Sequence, residues 1–140
     1  MGYRSDVRII VSRNGYKELK KYVEEHIRKY KIDNIKEVTV AASYDYDFNL
    51  LNSLDVSQAS EDNKQIYIGW NDLKWYDGYE EVDAIMDSLD KLREKGYGYC
   101  YSRLGENYDD YEERYADSTD KDNIKYQEFP SIQRYFYDDN

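Results

Sequence analysis

One cysteine, one histidine and one proline are all that this chain of 140 residues holds of those three types. A lone Cys100 leaves no internal disulfide and fits a reducing compartment. His26 and Cys100 together are too few for a zinc site. His26 stands among Glu24, Glu25 and Arg28 and reads as a solvated or capping side chain. A nucleophilic cysteine needs a basic neighbour and an accessible thiol. Cys100 falls inside a predicted strand and reads as buried and structural. No stretch approaches the roughly 20 apolar residues of a membrane span. The opening MGYRSDVRII has neither the apolar run of a signal peptide nor the Ser/Thr that myristoylation requires at the sixth position. Phosphate-loop, dinucleotide-binding and nucleophile-elbow patterns are missing. A calcium loop begun at Asp117 fails, because Thr119, Lys121 and Asp122 stand where acids and a glycine are needed. These absences set the expectation of a cytoplasmic protein that is not an enzyme and has no metal, cofactor or catalytic residue.

What the chain has is tyrosine and acid. There are 18 tyrosines, hydrophobic residues make up 40%, and the mean hydropathy is -1.05. That predicts one domain with a modest core and a wet surface. The net charge of -10 is unevenly spread. Residues 1–70 carry 11 Lys/Arg and 11 Asp/Glu, whereas residues 71–140 carry 9 and 19. The densest stretch, 106–122, sets eight carboxylates against Arg114 and Lys121, with Tyr108, Tyr111 and Tyr115 threaded through it. Such a surface repels nucleic acid and membranes and attracts basic proteins.

The β-branched run Val7 to Val11 predicts a strand, with Asn14-Gly15 as the break and cap that follow it. Tyr16, Leu19, Val23, Ile27 and Tyr30 repeat at a helical period. Residues 37–42, EVTVAA, read as a strand, and Phe48 to Leu54 as a helical turn. Asp55 to Ser60 and Gln65 to Trp70 form a predicted hairpin. Val82, Ile85, Met86, Leu89 and Leu92 make the apolar stripe of a helix over 79–95, which Gly96 ends. Tyr97 to Leu104 then alternates tyrosines with Gly98, Cys100 and Ser102. The expected fold is α+β, a ferredoxin-like β-α-β-β-α-β sandwich. Residues 1–104 form the core domain, and 105–140 form an acidic aromatic extension packed on it. The small residues are placed under the helices and Tyr97, Tyr99 and Tyr101 on the open face. Phe129, Ile132, Tyr135, Phe136 and Tyr137 would cover that face after a turn at Pro130. Base stacking on those tyrosines is disfavoured, because this half of the chain lacks the cations that a phosphate backbone requires.

On the second helix Asp83, Asp87, Asp90 and Glu94 form a stripe beside the apolar one. Four helical residues rise about 6 Å, close to the phosphate spacing of a nucleic-acid strand. The helical spacing of Tyr108, Tyr111 and Tyr115 predicts that the acids of the tract continue on an ordered surface.

The segments MGYRSDVRII, IYIGWNDLKWY, VDAIMDSLDKL and YSRLGENYDD resemble small proteins of phages and mobile elements of Gram-positive bacteria. The resemblance implies an inhibitor of host defence, of the anti-CRISPR or anti-defence type, acting in the host cell cytosol. It carries no functional residue over. The charge pattern adds the expected partner, a basic host protein such as a nucleic-acid-binding nuclease, with no direct nucleic acid or membrane contact. The expected binding residues are Asp83, Asp87, Asp90, Glu94, Glu106, Tyr108, Asp109, Asp110, Tyr111, Glu112 and Glu113, in a monomer or small homo-oligomer. Two alternatives stand beside this. One is a binder of a nucleotide signal through Arg4, Arg8 and Arg13. The other is an assembly protein that associates through its aromatic face.

Overall fold

A computed structural model describes residues 3–107 and 109–118. The elements are β1 (Ser5–Ser12), α1 (Arg13–Asp33), α2 (Ile35–Ala42), a single 3-10 turn (Leu50–Asn52), β2 (Val56–Ala59), β3 (Gln65–Leu73), α3 (Glu80–Glu94), β4 (Tyr99–Gly105) and β5 (Tyr111–Ala116). The fold is α+β, with one five-stranded antiparallel sheet in the order β2-β3-β1-β4-β5. The fifth strand, Tyr111–Ala116, comes from the stretch expected to be an extension and hydrogen-bonds along β4. The expected cover from Phe129 to Tyr137 lies outside the described residues.

Helix α1 starts earlier than its cap signal suggests. Ser12 is the N-cap, its Oγ accepting from the Gly15 amide at 2.9 Å, so Asn14 and Gly15 lie within the first turn. At the other end Asn34 breaks α1 from α2, its amide and its Nδ2 both donating to the Tyr30 carbonyl at 2.9 Å. The next stretch is helical, not the strand expected over 37–42. Residues 35–42 join neither edge strand, β2 or β5, although each edge strand pairs on one side alone among the described residues. Residues 35–42 meet their backbone needs locally, beginning with the Val38 amide on the Asn34 carbonyl at 3.0 Å.

The core lies between the sheet and the α1–α3 pair. Leu19, Val23 and Ile27 of α1 and Val82, Ile85, Leu89 and Leu92 of α3 pack on Val7, Ile9 and Val11 of β1. Strand register adds Ile66, Ile68 and Trp70 from β3 and Tyr99 and Tyr101 from β4. The two faces of β4 are therefore the reverse of those expected. Ile9 pairs with Tyr101, which turns Tyr99 and Tyr101 to the helices, while Ile10 pairs with Cys100 on the opposite face. Alternation tells which residues share a face but not which face meets the helices; the register with β1 decides that. The opposite face is buried too, since Ile10, Cys100, Ser102 and Leu104 are all fully enclosed. An aromatic face open for self-assembly is thus not available in Tyr99 and Tyr101.

Gly69 is required by a close approach. Arg8 lies across it, Nη1 donating to the carbonyls of Val7 (3.0 Å) and Trp70 (3.1 Å) and Nη2 to Asn71 Oδ1 (2.6 Å). A Cβ at Gly69 would come within 2.4 Å of the Val7 oxygen and 2.8 Å of Arg8 Cδ. Alanine in a strand is ordinarily the better residue by up to about 1 kcal/mol. Here the sign reverses, and Gly69→Ala is expected to cost about 1–3 kcal/mol in urea unfolding through overpacking. A gain in stability would show that the strand opens to accept the methyl group.

Candidate functional site

The exposed acidic ridge of α3 is the first part of the site. Glu80, Glu81 and Asp83 occupy the first turn and Lys91 and Arg93 the last, so the ends complement the helix dipole. The apolar side is buried through Val82, Ile85, Leu89 and Leu92, which fixes the outer side at a constant angle. Asp87, Asp90 and Glu94 are exposed and Asp83 is half-buried. Asp83 accepts from the Gly78 amide at 3.2 Å. Asp87 lies 3.8 Å from His26 Nδ1, whose other ring nitrogen is 2.6 Å from Glu80 Oε1. His26 is thus a bridge from α1 to the start of α3, more than the solvated or capping side chain expected. It borders a polar cleft of about 370 Å³ with Tyr30, Asn34, Glu80 and Lys91. Asp90 and Glu94 have no hydrogen-bond or ion-pair partner among the described residues.

The tract that follows β4 is built differently from the ridge. β4 and β5 meet in a hairpin, closed by the Gly105 amide on the Asp110 carbonyl at 2.8 Å. Arg103 holds its acids. Its guanidinium donates to Asp110 Oδ1 (2.8 Å) and Oδ2 (3.2 Å), to Ser5 Oγ (3.1 Å) and to Glu112 Oε1 (3.4 Å). Tyr3 Oη donates to Asp110 Oδ2 at 2.5 Å and accepts from the Asn107 amide at 3.0 Å. Glu106 accepts from the Arg4 amide at 2.6 Å. The bonds from Arg103 and then Tyr3 hold the Asp110 carboxyl below the usual carboxylate range, and the same bond raises the Arg103 pKa.

Beyond the loop the chain is a strand, not the helix that the tyrosine spacing suggested. An offset of four residues is even, so it repeats on one side of a strand as well as on one side of a helix. Tyr111, Glu113 and Tyr115 share the face of Leu104, Ser102 and Cys100. Both tyrosine hydroxyls donate to the Glu113 carboxylate, Tyr115 at 2.5 Å. Burial and then Glu113 push the Tyr111 phenol up to about 12; for Tyr115 the Glu113 bond is the larger cause of a similar rise. Burial first, then Glu113, also raises the Cys100 thiol to about 12, in keeping with a structural cysteine.

The expected single acidic surface is therefore divided. Glu106, Asp110, Glu112 and Glu113 are engaged within the fold, Tyr111 is half-buried, and Tyr108 lies outside the described residues. Asp109 is exposed with no such partner among the described residues. The two elements are neighbours around the buried Tyr99, whose phenol feels Asp90 and Arg93 from α3 and Arg114 from β5. What β5 contributes there is a cation. Neither protein-family models, nor curated proteins, nor solved structures gave a match to the chain.

The arginines of the nucleotide-binding alternative do not converge. Arg4 Nη1 donates to the Asp72 carbonyl, Arg8 is buried in the sheet, and Arg13 donates to the carbonyl and side chain of Asn63 at the far end of β1. Among the described residues no group of three or more His, Cys, Asp or Glu is placed to hold a metal, and no helix is long and apolar enough to cross a membrane. Arg103 and Tyr3 were not anticipated as organisers of the tract. The available signal was that Arg103 is the only cation between Lys95 and Arg114, one hairpin away from the acids.

Proposed function

We propose that the protein is a non-enzymatic inhibitor of a host defence nuclease, anti-CRISPR-like, that presents the α3 ridge to a basic nucleic-acid-binding groove. The observation that carries this reading is the contrast between two sets of acids. Those of the hairpin other than Asp109 are consumed by internal partners, whereas Asp90 and Glu94 stand outward without a partner among the described residues, beside Asp87, which is exposed 3.8 Å from His26, on a helix fixed by its buried side. Carboxylates that rise by about 4.5 Å and then about 6 Å along a helix suit a groove that binds phosphates at similar intervals. The -10 net charge would speed association with a cationic surface and make it sensitive to salt. The strand order β2-β3-β1-β4 supports a ferredoxin-like core, extended by β5 at the β4 edge. The sequence resemblance to phage and mobile-element proteins supports the same setting.

The test is displacement of labelled nucleic acid from a panel of purified CRISPR effectors and other defence nucleases. The wild-type protein is expected to displace the label from at least one of them, less well as salt rises. Reversing Asp87, Asp90 and Glu94 to lysine together is expected to raise the amount required by at least about tenfold, or 1.4 kcal/mol. Thermal unfolding of the variant should be little changed. Displacement from none of the panel, or full potency in the triple variant, would overturn the reading.

A further inference from the structure

The fold does not account for α2. The helix has eight residues and none is buried. Isolated helices shorter than about 12–15 residues are marginal in water. Ile35, Val38, Thr39 and Val40 are β-branched, which weakens the helix further. Val38 and Ala41 lie half-buried against the body, and Ile35, Lys36, Thr39 and Val40 are exposed around the other side. Exposure is 66% at Ile32, 65% at Ile35, 61% at Val40, 79% at Tyr44 and 48% at Tyr46. Nearby hydroxyls are already used within the chain: Thr39 Oγ1 donates to the Ile35 carbonyl at 2.7 Å and Ser43 Oγ to the Val40 carbonyl at 2.5 Å. The loop after α2 is anchored by Phe48, whose ring lies 5.4 Å from Tyr30 and 4.7 Å from Tyr46. An apolar surface held in place in this way is the mark of an interaction site.

We propose that this face, from Ile32 to Tyr46, binds a second copy of the same chain in an isologous dimer. Charge selects the occupant. Two copies at -10 repel each other over most of their surface, so they can meet only where charge is balanced. Between positions 28 and 47 the chain is balanced, with Arg28, Lys29, Lys31 and Lys36 against Asp33, Glu37, Asp45 and Asp47. Two-fold symmetry repeats each cation–carboxylate approach, so mixed charge around an apolar centre is self-complementary. A strongly basic partner would find no excess of acid here. The five residues expose on the order of 600 Å², most of the roughly 800 Å² per partner that a standard interface buries. The inference does not depend on the α3 reading.

Sedimentation equilibrium of the full chain, from low-micromolar to several hundred micromolar, tests it. The apparent mass is expected to rise from 16.9 kDa toward twice that value. The double variant Ile35→Glu, Val40→Glu is expected to weaken association at least about tenfold. Lys17→Glu, which makes the same net-charge change on the exposed side of α1, should leave association within about twofold of wild type. Circular dichroism of all three proteins establishes that each is folded. A wild-type protein that stays monomeric throughout overturns the proposal. So does a dimer that survives in the double variant, or one that Lys17→Glu disrupts equally.

Discussion

Replacing Trp70 with alanine is expected to lower the free energy of unfolding by about 3–5 kcal/mol, the largest loss at any single position considered. The indole is 1% exposed, at the centre of the helix-side face of β3. It packs 5.4 Å from Trp75, which in turn lies 6.4 Å from Tyr101, so the truncation removes one end of an aromatic row. It also removes the Nε1 donor to the Leu50 carbonyl at 2.9 Å. That bond is the direct tie between the sheet and the 3-10 turn that follows α2. Domains of this size are stable by roughly 5–15 kcal/mol, so the variant would be close to its unfolding threshold at ordinary temperature. Urea unfolding followed by far-ultraviolet dichroism measures the change without relying on tryptophan fluorescence. Trp70→Phe separates the two contributions: it keeps most of the ring and removes the indole bond, while the Leu50 carbonyl keeps the Ser53 amide (3.1 Å) and hydroxyl (3.3 Å), for an expected loss of about 0.5–1.5 kcal/mol. A loss below about 1 kcal/mol for Trp70→Ala would mean that Trp75 moves in to refill the site.

Arg103→Ala is expected to cost about 2–4 kcal/mol, less than a fully buried pair because Arg103 and Asp110 keep some contact with water. The substitution strands Asp110 and Glu112 beside each other and leaves Tyr3 as the main partner of Asp110. Fraying should be local. Amides of Arg4, Asn107 and Gly105, which are bonded to Glu106, Tyr3 and Asp110, are expected to exchange faster than those of β1 and β3. Acid supplies a second readout. The Asp110 pKa is depressed in the folded state, so its contribution is present above the unfolded value near 3.9 and disappears as pH falls through the lower folded value. Stability of the wild-type protein should therefore drop on the acid side of pH 4, and Arg103→Ala should flatten that drop. An equally steep acid transition in the variant would assign the pH dependence to other carboxylates. A double-mutant cycle with Asp110→Asn gives the coupling itself.

Much of the scaffold is legible in the chain. The alternation of Val7, Ile9 and Val11, the stripe Leu19-Val23-Ile27 and the stripe Val82-Ile85-Leu89-Leu92 each specify an element and its buried side, because burial selects a period. Gly96, at φ +89, ends α3 where its position suggests. Residues 37–42 were less legible. Their β-branched content favours a strand, and what overrides it is local: the Asn34 carbonyl receives the Val38 amide at 3.0 Å, and the segment continues as a helix after α1. The tract was misleading for another reason: Tyr111 and Tyr115, four apart, satisfy helix and strand alike.

By itself the sequence determined that this is a small α+β protein with an acidic second half, a cysteine without a disulfide partner and an acidic ridge beside the apolar stripe of α3. Those properties depend on composition and on spacing within single elements. Only the tertiary structure decided which carboxylates remain available to a partner. Arg103, Tyr3 and Arg4 reach the hairpin acids across long stretches of chain, and no local pattern records such contacts. The same holds for Tyr99 and Tyr101, whose face was set by pairing with β1, and for Ile35 and Val40, whose exposure follows from a helix that lies outside the sheet and buries none of its residues.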